Sequence, residues 1–169
     1  MSPMTPMGPM GPMSAHCMRR ADFLKTGTPF IHTRNEASMI PSPAMIASVA
    51  AGGALGAAAR FVVTSFSTRA LGMEFPWGTM IVNIAGSFVM GLLITFMALK
   101  WSTSQEMRAF LTTGALGGFT TFSAFALDFA TLWERKAHMA SLAYAMGSVL
   151  AAIAALFAGL MLARALFAP

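Results

Sequence analysis

Charged side chains are scarce in this sequence. Asp, Glu, Lys and Arg make up 10% of its 169 residues, against about 25% in an ordinary water-soluble domain, while 56% are hydrophobic. So few charges cannot clothe a soluble surface of this size, and the lipid bilayer is the solvent that fits. A formal charge of +5 would suit nucleic acid, but the apolar content argues against nucleic acid as the partner. Cysteine is nearly absent. The single Cys17 excludes an internal disulfide framework and a cysteine-based metal cluster. No ATP site and no nucleophile–base arrangement is visible, so the chain does not read as an enzyme.

Residues 1–40 differ from the rest. The opening MSPMTPMGPMGPM repeats Met, Pro and Gly at short period, which blocks helix propagation and leaves no apolar face to bury. It also lacks the uninterrupted apolar core of a signal peptide. It reads as a disordered extension holding Arg19, Arg20, Lys25 and Arg34, a basic tail suited to anionic lipid head groups. Met39 and Met45 are alternative starts, so the tail also fits upstream sequence carried along by a misplaced start.

The domain proper covers 41–169 and contains four apolar segments, 44–68, 76–99, 105–133 and 139–163. A hydrocarbon core of about 30 Å needs roughly 20 helical residues, and each segment is long enough. The links RALGMEF, KWSTSQE and ERKAH are short and polar, so consecutive spans run antiparallel. The fold class is an all-α membrane protein of four transmembrane helices. The second link and C-terminus share one side with Lys100, Arg108 and Arg164; the other links carry Arg69, Arg135 and Lys136. With the tail and Arg60 set aside, three cations oppose three. Without the usual cytoplasmic excess, the chain is open to insertion in both directions and to pairing of up and down copies.

The third span is built to break its own helix. Gly114 is followed by Gly117-Gly118-Phe119-Thr120-Thr121-Phe122-Ser123-Ala124-Phe125, where paired glycines precede two β-branched threonines. Small residues there also suit tight helix packing. Backbone unwound at membrane depth must find partners in protein or at an ion. Phe122 and Phe125, three apart, share a helix face; ordinary core or lipid-facing packing is the plain reading of both. Asn83 in the second span needs a hydrogen-bond partner or water, either a neighbouring helix or a pore. Tyr144 and Ser148, four apart, share a stripe of the fourth span, but Ala152 and Ala155 further along it carry no hydroxyl. Arg60 is the one charge well inside a span. It either snorkels to the head groups or draws anions to a vestibule. Trp77, Trp101 and Trp133 fall at span ends as interfacial anchors.

These motifs resemble the CrcB/Fluc fluoride channels. The matching stretches are Gly52-Gly53-Ala54-Leu55-Gly56-Ala57-Ala58-Ala59-Arg60, then Gly78-Thr79-Met80-Ile81-Val82-Asn83-Ile84-Ala85-Gly86-Ser87-Phe88, then Gly117 through Phe125. They lie in the right spans and in order, within a resemblance covering 44–166. It implies an antiparallel, dual-topology homodimer with two pores along the interface, in the inner (plasma) membrane, passively exporting fluoride. It implies a structural sodium ion at the dimer centre, held by the backbone carbonyls of Gly117 and Thr120 where the third helix breaks. Oxygen ligands suit such a cation. By the same resemblance Phe122 and Phe125 line the pore, whose positive ring edges suit an anion. Asn83 turns its amide donors to the anion path, and Thr79, one turn earlier, shares its face. Thr121 and Ser123 complete the site, and Tyr144 and Ser148 continue it as a hydroxyl track. The chain departs from the family at Ala124, where Thr is commoner, and at Asp128, usually Glu. A competing reading, a small dual-topology multidrug/cation antiporter, requires a buried carboxylate in the first span, and 44–68 holds no Asp or Glu. A third reading is an assembly protein without transport, whose third span would tolerate substitution freely.

Overall fold

The computed structural model describes residues 41–167; the expected disordered extension at 1–40, with Cys17, lies outside the described residues. The elements are α1 (Pro43–Leu71), α2 (Trp77–Leu99), α3 (Gln105–Ala109), a π-helical segment (Phe110–Leu116), α4 (Gly117–Phe119), α5 (Phe122–Glu134) and α6 (His138–Phe167). Among the described residues there is no strand. Among the same residues four spans are long and apolar enough to cross a membrane: α1, α2, the combined stretch Gln105–Glu134, and α6. Their ends fall within a few residues of those read from hydropathy.

Local chemistry sets those ends. The Ser42 hydroxyl accepts from the Met45 N–H at 3.2 Å, with Pro43 in the first turn of α1; the missing proline N–H costs nothing there. Gly72 closes α1 with φ of 85°, its N–H donating to the Thr68 carbonyl at 3.1 Å. Ser104 caps α3 in the same way, accepting from Met107 N–H at 3.2 Å.

Between Phe119 and Phe122 the backbone leaves helical geometry. Thr120 (φ −83°, ψ 159°) and Thr121 (φ −154°, ψ 123°) are both extended, and Thr121 serves as the N-cap of α5. The residues before this point follow a wider turn, since Phe110–Leu116 is π-helical.

Packing divides the bundle into two intimate pairs. α1 lies against the π-helical segment and α4, and α2 lies along α6. Small residues set both distances, as membrane helix packing requires where no hydrophobic drive exists between helices. A Cβ at Gly56 would collide with the Ala115 carbonyl, and one at Gly52 with the Phe110 carbonyl. Gly91 and Gly159 do the same work between α2 and α6, facing the backbone at Leu156 and Phe88 respectively. Large apolar side chains such as Leu55, Phe61, Phe66 and Met161 point outward, as a bilayer allows.

Because the obstacle at Gly56 is backbone, Gly56→Leu should abolish the α1 contact. The expected cost is at the upper end of overpacking, roughly 3 kcal/mol or more, seen as loss of the monodisperse peak in size-exclusion chromatography after detergent extraction. Gly53→Ala should extract normally, because nothing lies within 4 Å of its added Cβ.

Candidate functional site

The site is organised around one side chain on α2. Asn83 donates from Nδ2 to the Thr121 carbonyl at 2.9 Å, and its Oδ1 accepts from the Thr121 N–H at 2.7 Å. Both backbone groups of Thr121 are therefore satisfied from another helix. In an uninterrupted helix the Thr121 N–H would bond the carbonyl of Gly117 four residues back, and here Asn83 takes it instead. The same exchange occurs one turn on. The Ala124 N–H, which would reach the Thr120 carbonyl, bonds the Thr121 hydroxyl at 3.2 Å. The carbonyls of Gly117 and Thr120 thus lose their helical donors to side chains, and those of Gly118 and Phe119 between them lose theirs because Phe122 and Ser123 open a new helix. Gly117 is exposed.

The preceding limb is held rigid. The Thr120 hydroxyl and N–H both donate to the Leu116 carbonyl, each at 3.0 Å, and the Thr120 methyl occupies the space where Gly86 would carry a Cβ. The Ser123 hydroxyl lies 3.2 Å from that of Thr121.

A cavity of about 440 Å³ opens beside this junction. Asn83, Thr120, Thr121, Phe122, Phe125 and Ser148 line it, and Ala152 continues the Ser148 stripe along it without a hydroxyl. The Phe122 and Phe125 rings sit 5.4 Å apart, tilted by 38°; Phe122 is 78% exposed. Ser148 is only 4% exposed, yet its hydroxyl has no hydrogen-bond partner among the described residues. A buried hydroxyl left unpaired costs about 1–3 kcal/mol, and this one borders the cavity.

Tyr144 links this cavity to a second one. Its ring is fully buried, 5.2 Å from that of Phe125 and 5.6 Å from that of Phe75. Its hydroxyl donates to Asp128 Oδ2 at 3.2 Å. Asp128 lines the second cavity, of about 250 Å³, with Thr64, Thr68, Thr79, Thr131 and Arg135. Thr79 consequently stands apart from Asn83 despite their shared helical face, because the two side chains open into different spaces. Arg60 lines neither cavity; its backbone carbonyl accepts from the Thr64 hydroxyl at 2.9 Å.

The π-helical segment escapes a reading of the sequence, because it has no compositional mark. Ser141, which ties α6 to α5 by donating to the Phe129 carbonyl at 3.0 Å, does carry a signal: it precedes Tyr144 by three and Ser148 by seven, and so extends their polar stripe upstream.

Four membrane-length helices whose polar groups converge on cavities between them define a small multi-pass membrane protein. The family profile described as CrcB-like protein, Camphor Resistance (CrcB), matches residues 47–160. The chain is 57% identical over 118 residues to a protein of Chelativorans sp. (strain BNC1) named fluoride-specific ion channel FluC, covering 70% of this chain and 94% of that relative. Similarity to proteins of the same name reaches 53% over 118 residues in Mesorhizobium japonicum (70% and 94% covered) and 53% over 122 residues in Agrobacterium fabrum (72% and 98%). The chain belongs to the CrcB-like family.

Asn83→Ala removes both partners of the Thr121 backbone at once. Leaving two buried backbone groups unpaired at about 1–3 kcal/mol each should lower the thermal midpoint in detergent by several degrees or more. Ser148→Ala, which removes an already unpaired hydroxyl, should leave that midpoint unchanged or raise it.

Proposed function

We propose that this chain is a fluoride-selective ion channel that exports fluoride passively across the cell's inner (plasma) membrane and so limits its toxicity inside. The reading is supported by the relatives' names and, above all, by one observation: a mid-membrane cavity offering hydrogen-bond donors and aromatic rings with no carboxylate in its lining. Fluoride holds its water tightly, so a pore must offer donors as water is shed. The Ser148 hydroxyl is free to donate. Asn83 commits one N–H to Thr121 and keeps a second. Thr121 and Ser123 add hydroxyls, and the edges of Phe122 and Phe125 carry partial positive charge. Tyr144 extends the donor track towards the second cavity, where Thr79 sits. No energy source beyond the ion gradient and membrane potential is required, the latter worth about 2.3 kcal/mol per charge per 100 mV.

The working unit in this reading is an antiparallel dual-topology homodimer. Support comes from Gly117, exposed with a carbonyl that lacks its helical donor at membrane depth, where lipid offers no hydrogen bonds. A second copy covers it. The equal split of Lys and Arg between the two ends is compatible with insertion in either direction.

The interrupted third span then gains a purpose. The freed carbonyls of Gly117 and Thr120 are neutral oxygen donors of the kind a sodium ion accepts. Among the described residues no cluster of His, Cys, Asp or Glu could hold a metal. Sodium there would supply fixed positive charge near the anion path. The chain's own contribution is the Asn83 clip, which keeps the Thr121 N–H away from Gly117. Arg60 remains a candidate vestibule charge outside both cavities. The multidrug antiporter lacks support: α1 contains no Asp or Glu, and the family is a different one.

In liposomes loaded with fluoride, the purified protein should release it, as read by a fluoride electrode, with chloride efflux at background. Phe122→Ile and Phe125→Ile should each slow release strongly. Ser148→Ala should slow it by about tenfold, the loss expected of one hydrogen bond to a charged partner. No fluoride release from correctly folded protein would sink the functional reading; unchanged release in both Phe variants would sink the pore assignment alone. Replacing sodium by N-methylglucamine in the detergent buffer should lower the thermal midpoint, and restoring sodium should recover it.

A further inference from the structure

The two ends of the bundle match in cations but not in net charge. At the end formed by the α2–α3 link and the C-terminus of α6, Lys100, Arg108 and Arg164 meet one carboxylate, Glu106. At the other, Arg69, Arg135 and Lys136 are offset by Glu74, Asp128 and Glu134. Among the described residues, with Arg60 inside α1 set aside, one end is net positive and the other neutral.

A cavity of about 370 Å³ lies at the positive end. Lys100, Trp101, Ser102 and Thr103 of the link and Arg108 of α3 line it above the last turn of α2, and no carboxylate is among the lining residues. The contrast with the opposite end is direct, because there Arg135 shares its cavity with Asp128 and Glu74. The link turns sharply here: the Phe96 carbonyl accepts from both the Lys100 N–H (2.9 Å) and the Trp101 N–H (3.3 Å). Beneath it the Phe96 ring lies 6.0 Å from Trp101 and 4.9 Å from Phe167. This aromatic platform marks where hydrocarbon gives way to head groups.

We propose that this cavity binds the head group of an anionic membrane lipid, its phosphate held between Lys100 and Arg108 and its acyl chains running down the apolar flank of α2. The guanidinium offers a fork of donors matched to phosphate oxygens and the ammonium a compact charge, while Ser102 and Thr103 supply hydroxyls. A zwitterionic head group would bring its own cation into a space that already holds two and no anion, so a net negative lipid is selected. The site is independent of which ion the protein conducts.

Trp101 provides the readout. Trp77→Phe with Trp133→Phe leaves it as the only tryptophan of three. This parent is reconstituted in mixed phosphatidylcholine–phosphatidylglycerol vesicles, with brominated chains on one lipid or the other. Quenching by brominated phosphatidylglycerol should exceed its bulk share, with local enrichment of about fivefold per cation. The excess should vanish in Lys100→Gln/Arg108→Gln, persist in Lys100→Arg, and persist in Arg135→Gln at the opposite end. Quenching in proportion to bulk composition would overturn the proposal, and the parent decides this even if the double variant fails to fold. Loss of the excess on adding millimolar inorganic phosphate would assign the cavity to a free anion and equally overturn it. Loss in Arg135→Gln would mean a diffuse field rather than a site.

Discussion

The bidentate clip between the Asn83 amide and the backbone of Thr121 is the interaction on which the site depends. A carboxamide offers one donor and one acceptor at the spacing of a peptide group, so it can stand in for a neighbouring strand of backbone. In water such a substitution would be worth little, since solvent competes for both groups. Inside a bilayer nothing competes, and an extended dipeptide in mid-span is tolerated only when its N–H and C=O are met from elsewhere. The clip meets them at Thr121, whose hydroxyl caps α5, and the carbonyls just upstream are left without helical donors. Local hydrogen bonding thus converts a defect in one helix into a directed set of polar groups.

Placement of that clip depends on backbone proximity. Asn83 reaches Thr121 because Gly86, one turn along α2, admits the Thr120 side chain. The span carrying Thr120 is positioned in turn because Gly52 and Gly56 of α1 let it approach to backbone contact. These glycines touch no ion in any reading of the site; they fix the distance at which Asn83 operates. On the other flank, α6 brings Tyr144 and Ser148 against the same junction, held by Gly91 and Gly159 against α2 and by the Ser141 hydroxyl against α5.

Much of this was legible in the residues. Hydropathy over windows of membrane length locates four spans, and three motifs in order identify the family. Asn83, Thr121, Phe122, Phe125 and Ser148, singled out from the sequence, line one cavity with Thr120. What stayed hidden is what neighbouring helices decide. Thr79 and Asn83 share a stripe, but helical spacing says nothing of the partner that separates the spaces they open into. Asp128 and Tyr144 are sixteen residues apart, a separation with no periodic signature. Ser148 is legible as a polar residue, whereas its lack of a partner is a property of the packed bundle alone.

The π-helical segment carries a consequence for how such a chain changes over time. A π turn holds one more residue than the α turn it replaces, so Phe110–Leu116 stores a single-residue insertion that has been absorbed without lengthening the span by a whole turn. Excising one residue there would restore ordinary winding and leave the facing of everything downstream nearly as it is, with Gly118 still towards Gly53 and Thr120 still towards Gly86. Point substitutions in this stretch are changes of degree. A one-codon deletion there is one the span can absorb, whereas the same deletion within the ordinary winding of α5 would turn the rest of that helix by about 100°.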